Sequence, residues 1–136
     1  MKNLHLKNLK SDPIENYLKQ LEKYEKDIED LSTEKLTLFS EITDNENEQK
    51  HVNLLNNINN KENQIKQIKE KHKTLTITLL NYFLKELEQL KAPEQKHCKN
   101  IEIIRSWIID LKRDRERYIH IRELRYLNNN IKNMKD

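Results

Sequence analysis

The stretch DPIENYLKQLEKYEKDIEDL, residues 12–31, decides the fold class. Its apolar residues recur in alternating steps of four and three at Tyr17, Leu21, Tyr24, Ile28 and Leu31, and the series resumes at Leu38 and Ile42. On a helix this spacing gathers one narrow stripe, the a/d pattern of a coiled-coil seam, rather than the broader face of a globular helix. The slot between Leu31 and Leu38 holds Lys35, with Leu36 beside it. The intervening positions mix charges (Glu22, Lys23, Glu25, Lys26, Asp27, Glu29, Asp30), as a solvated helix face does. The start is equally readable. Asp12 can accept from the free N–H groups of a first turn, Pro13 at the first helical position has no N–H to leave unpaired, and Glu15 completes a capping-box spacing.

Upstream, Met1–Ser11 carries Lys2, Lys7 and Lys10 and no acid, which reads as a basic, loosely ordered arm. It lacks the apolar run of a secretory signal, and without arginine it is a poor mitochondrial presequence, so import is the lesser reading. Downstream, the stripe falters near Thr43-Asp44-Asn45-Glu46, where Thr43 and Glu46 again have capping-box spacing. Eight asparagines between Asn45 and Asn63 weaken helix propensity there. A turn at 43–48 is expected, the alternative being one unbroken helix from 13 to 91.

A second helix over about 47–91 follows from Val52, Leu55, Ile58, Ile65, Ile68, His72, Leu75, Leu79, Phe83, Leu87 and Leu90. Thr74-Leu75-Thr76-Ile77-Thr78-Leu79 alternates like a strand, but its flanks are helical and a lone strand has no partner, so helix is expected. Ala92-Pro93 ends that helix. A third is expected over about 94–133, with Ile101, Ile104, Ile108, Leu111, Tyr118, Ile121, Leu124, Leu127, Ile131 and Met134 inward and with Ile103 and Trp107 widening its face.

Composition agrees. The 136 residues include no glycine, two prolines and one cysteine, with 36% charged and 35% apolar. Phosphate-cradling loops, dinucleotide fingerprints and nucleophile elbows use glycine, so none is available in its usual form. Cys98 has no intrachain partner, and the charge-free run through Leu75–Leu84 is too short for a membrane span of about 20 residues. The expected fold is all-α: three long helices with coiled-coil-like packing, the last two an antiparallel hairpin. They form a single elongated domain, 12–136, behind the arm 1–11.

For function, the residues favour interaction over chemistry. The five histidines, His5, His51, His72, His97 and His120, are scattered and make no metal-ligand spacing, and the carboxylate pairs are those of solvated helices. His97 and Cys98 are adjacent but point to different faces. No enzyme activity, cofactor, metal or small-molecule substrate is expected. The expectation is a helical scaffold or adaptor subunit, intracellular (cytoplasmic or nuclear), binding other helical proteins or itself. Its seams would be Tyr17, Leu21, Tyr24, Ile28 and Leu31 on one side and Ile65, Leu79, Phe83, Ile104, Trp107, Ile108 and Leu111 on the other. Tyr82, Leu84, Ile109, Ile119 and Tyr126, with Trp107, are further apolar residues in search of cover.

Charge offers a rival. Residues 99–136 hold ten basic and six acidic side chains, a net of +4, and every arginine of the chain. Lys112, Arg113, Arg117, Arg122 and Arg125, interleaved with Tyr118 and Tyr126, would make a nucleic-acid face. The plainer account is pairing with Asp110, Asp114, Glu116 and Glu123. A membrane-surface role ranks lower still, because acids intrude on the cationic face.

Overall fold

The computed structural model of the chain describes residues 13–43, 47–90, 94–115 and 117–135. Among these the protein is all-α, with four helices and no strand: α1 (Pro13–Thr43), α2 (Glu48–Glu88), α3 (Gln95–Lys112) and α4 (Ile121–Lys135). α1 packs on α2, and α2 on α3. The basic arm, the Asp12 cap, the turn residues 44–46 and the Ala92-Pro93 break lie outside the described residues.

α1 and α2 are separate helices. Asn47 caps the second, its side-chain Oδ1 accepting from the backbone N–H of Gln49 at 2.9 Å and of Lys50 at 3.3 Å. The asparagine enrichment thus supplies a helix start as well as a weak propensity. The Thr74–Leu79 stretch is helical as expected. Thr78 Oγ1 donates to the carbonyl of Thr74 at 2.9 Å, turning a β-branched polar residue back onto its own helix.

The expected third helix is two helices. α3 stops at Lys112 in a Schellman motif: Asp114 N–H donates to Leu111 O at 3.3 Å, and Arg115 N–H to Asp110 O at 2.9 Å. The residue between these bonds must turn left-handed, and Asp114 does so at φ 56°. Glycine usually fills that position; in a chain with none, aspartate is one of the few side chains that visits this region. The six consecutive charged residues Lys112–Arg117 also leave no apolar anchor to hold a helix against the core there. Tyr118, expected inward, is therefore 65% exposed, and Ile119 takes the buried place.

The residues group into two compact units. The first takes the chain up to Leu21 and from Lys73 onward. Among its described residues thirteen apolar side chains are buried: Leu18, Leu21, Leu79, Leu80, Phe83, Leu87, Ile104, Ile108, Leu111, Ile119, Leu124, Leu127 and Ile131. Lys73 pairs with Asp114 and Glu88 with Arg105, so α2 and α3 run antiparallel. Burial decides this unit's stability. Each core side chain contributes about 1.5–3 kcal/mol, whereas each exposed ion pair contributes at most about 1 kcal/mol.

The second unit, Glu22–His72, is an antiparallel pair made of the rest of α1 and α2. Glu25 meets His72, Glu34 meets Lys61 and Lys35 meets Glu62. Among its described residues two apolar side chains are buried, Ile58 and Ile65. Tyr24, Ile28, Leu31, Leu38, Ile42 and Ile68 are half-buried, as the stripe of a lone helix pair must be. Lys35 interrupts that stripe and turns its ammonium to Glu62 at 3.6 Å.

Two outcomes follow. Phe83→Ala should destabilise the protein by about 3–5 kcal/mol in urea unfolding, because its ring is fully enclosed. At position 114, Asp114→Val should be less stable than Asp114→Gly by about 1–2 kcal/mol. Both variants lose the Lys73 partner, so their difference isolates the backbone; equal stabilities would remove the left-handed turn from the account.

Candidate functional site

A concave surface of the first unit lies between α3 and α4. From α3 it takes Asn100, Ile103, Ile104 and Trp107, and from α4 Arg122, Glu123, Tyr126 and Leu127, enclosing about 510 Å³. The two sets sit at helical steps of three and four, so each helix presents one wall. Ile104 and Leu127 are buried and form the floor. Ile103 and Tyr126 are exposed and form the rims, with Tyr126 at 58%. The turn at Asp114 creates this groove, since it allows α4 to return along α3. Arg122 and Glu123 make no ion pair with any other described residue, so both charges at the mouth are uncommitted.

A second uncovered surface belongs to the other unit. Toward the turn end of the α1–α2 pair, Leu36 (67% exposed) and Phe39 share one face of α1, and Val52 and Leu55 share one face of α2. Along the same pair, a polar groove of about 480 Å³ is lined by Asp27, Asp30, Leu31, Glu34, Gln64, Gln67, Ile68 and Lys71. Lys23 meets Asp27 and Lys61 meets Glu34, as solvated helix faces do.

The expected seam residues divide between these settings. Leu21, Leu79, Phe83, Ile104, Ile108 and Leu111 are brought together in the first unit's core, and Trp107 stands half-buried in the groove wall. Ile65 is buried in the second unit, beside the half-buried Tyr24, Ile28 and Leu31. Tyr17 is exposed, and the neighbouring Leu18 is fully buried in the core. The strict a/d series ran through Tyr17 to Leu21, but α1 enters a core wider than a seam, and the smaller aliphatic neighbour faces it. Leu80 and Thr76 were missed for the same reason. The series Thr76, Leu79, Leu80, Phe83 and Leu87 is a broad face, and its doublet at 79–80 was the available signal.

The arginines are mostly engaged within the protein. Arg117 donates through Nε and Nη2 to Asp110 Oδ2 at 3.0 and 2.7 Å, and Arg115 approaches the same carboxylate. Arg125 forms a two-pronged pair with Glu15, with contacts from 2.7 to 3.2 Å, tying α4 to the start of α1. Arg105 meets Glu88. Of the expected anion face, Lys112, Arg113 and Arg122 remain without an ion pair to a described residue.

Among the described residues, no group of three His, Cys, Asp or Glu side chains is arranged to hold a metal. Nor is any helix of these residues long and apolar enough to cross a membrane. Cys98 is exposed while the adjacent His97 is buried, its Nδ1 without a hydrogen-bond partner. The chain matches no protein-family model, no curated protein and no solved structure.

The Glu15–Arg125 pair has the geometry that makes an ion pair count, being bidentate and about two-thirds covered. A double-mutant cycle with Glu15→Gln and Arg125→Gln should give a coupling of about 1 kcal/mol. A coupling of zero would leave α4 held by its apolar face alone.

Proposed function

We propose that the chain is a non-enzymatic helical scaffold or adaptor subunit that co-assembles with other helical chains through coiled-coil-type seams. The observation that carries this reading is the imbalance between the two units. Among the described residues the first encloses thirteen apolar side chains; the second, Glu22–His72, encloses two and leaves Leu36, Phe39, Val52 and Leu55 in water. Two antiparallel helices have one shared stripe and nothing over it, so a third helix laid along the pair would complete the layer. Such a helix would meet Tyr24, Ile28, Leu31 and Ile68 along the shared stripe. The polar slot at Lys35, paired with Glu62, would fix the register of that partner, as single polar positions do in coiled coils.

The nucleic-acid reading has less support. Backbone phosphates are bound by uncommitted cations on one face, and Arg105, Arg115, Arg117 and Arg125 already meet carboxylates of their own unit.

Leu36→Ser with Phe39→Ser tests the scaffold reading, since both side chains are exposed and their loss should leave helicity intact. Tagged full chain and variant are purified from the native cells under identical conditions, and the co-purifying proteins are compared. Helical proteins held by the parent and lost by the variant are expected; identical sets would remove the hairpin end from any assembly role.

A further inference from the structure

The connector between α3 and α4, residues 113–120, is at odds with its own sequence. Arg-Asp-Arg-Glu-Arg-Tyr-Ile-His contains no glycine, proline, asparagine or serine, and its arginines and glutamate favour helix. Continued as a helix it keeps charge pairing, with Asp110 three residues before Arg113 and Asp114 three before Arg117. The chain turns instead at Asp114, a residue other than glycine in the left-handed region. Contacts outside the connector help to hold that turn. Lys73 of α2 reaches Asp114 at 2.6 Å, and Arg117 folds back onto Asp110 of α3 at 2.7 Å. Local preference and tertiary contact thus select different states of the same segment.

The straight state has a consequence for packing. One helix over 95–135 would be about 60 Å long. Ile131 lies 27 residues past Ile104, about seven and a half turns, so the two would face opposite sides. Leu124 is 16 residues past Ile108 and Leu127 is 16 past Leu111, about four and a half turns in each case. While α3 stays on its core, the apolar face of α4 would therefore be carried away from it. That face fits one surface already defined, the α4 site of another copy, where Leu124, Leu127 and Ile131 are buried and Arg125 grips Glu15 through two nitrogens.

We propose that α3 and α4 straighten into one helix and that two copies exchange their α4 segments, each completing the core of the other. The exchange needs no new interface, because each copy receives the contacts that α4 makes in the single chain. It releases the left-handed residue in both copies and gives up the exposed Lys73–Asp114 pair, a contact of small worth. Concentration decides between the two forms, since one is a monomer and the other a dimer. This inference goes beyond the scaffold reading and does not rest on it, because the α1–α2 stripe plays no part.

Charge reversal at the Glu15–Arg125 pair distinguishes exchange from any other dimer. In a Glu15→Arg chain α4 meets a like charge, and in an Arg125→Glu chain it does so again with the opposite sign. Exchange between the two variants sets an arginine against a glutamate at both sites; exchange within either variant does not. Each is refolded from urea at high concentration, alone and mixed one to one, and weighed by light scattering after size exclusion. The mixture should hold roughly tenfold more dimer, at twice the 16.6 kDa monomer mass, than either variant alone. A mixture no more dimeric than its components overturns the proposal. Position 114 gives an independent reading should a charge variant lose helicity by circular dichroism. Asp114→Gly and Asp114→Ala both lose the Lys73 contact, but glycine eases the left-handed turn and alanine favours the helix. The alanine chain should open its elbow on the order of thirty-fold more readily and dimerise correspondingly more. An alanine chain no more dimeric than the glycine chain overturns the proposal, as does a parent that refolds to monomer at every concentration.

Discussion

The face of α2 between Thr76 and Leu87 is the constraint on which the first unit depends. Thr76, Leu79, Leu80, Phe83 and Leu87 are all buried, and the adjacent pair at 79 and 80 makes this face wider than the stripe one neighbouring helix can cover. α3 packs on α2 and supplies Ile104, Ile108 and Leu111. Further cover comes from the first residues of α1, through Leu18 and Leu21, and from α4, through Leu124, Leu127 and Ile131. Four helical segments therefore meet where a two-helix seam would have left half of that face wet. N-terminal to Lys73 the same helix buries Ile58 and Ile65 singly, a narrower stripe than the face between Thr76 and Leu87. The change from stripe to broad face along α2 is the change from hairpin to bundle.

Bringing α4 back along α3 requires a reversal, and a chain without glycine has few ways to make one. The solution spends a left-handed residue at Asp114 and secures it three times over. The two Schellman hydrogen bonds fix the backbone, Lys73 from α2 meets the Asp114 carboxylate at 2.6 Å, and Arg115 and Arg117 both fold back onto Asp110. The charged run 112–117 looked in sequence like a solvated helix face. In the structure Asp114, Arg115 and Arg117 of that run are fastenings of a turn.

How legible this was depended on the period. The α1 stripe, the separate second helix and the helical Thr74–Leu79 segment could all be read, because each rests on local spacing that burial reinforces. The break in the third helix could not, since its signal was neither glycine nor proline but an aspartate in a run of charges. Its trace was indirect: Leu111 to Ile119 is a gap with no apolar residue at the intervening helical steps, and only Tyr118 bridged it in register. The groove was invisible for the same reason, because it exists only once α4 turns back. Two of its residues nonetheless stood out in sequence, since Trp107 and Tyr126 were apolar side chains in search of cover. Leu18 escaped a/d counting because that counting assumes a narrow contact, and α1 begins in a wide one.

The arginines show how tertiary structure changes the meaning of a composition signal. All six lie between Arg105 and Arg125, which in sequence suggests a basic face. Four of them meet carboxylates, at Glu88, Asp110 and Glu15, so their charge is largely neutralised where it stands. Arg113 and Arg122 are left, and Arg122 stands at the mouth of an apolar groove rather than on an open cationic surface. Glu123 shares that mouth, so Arg122 there does not make a cationic surface.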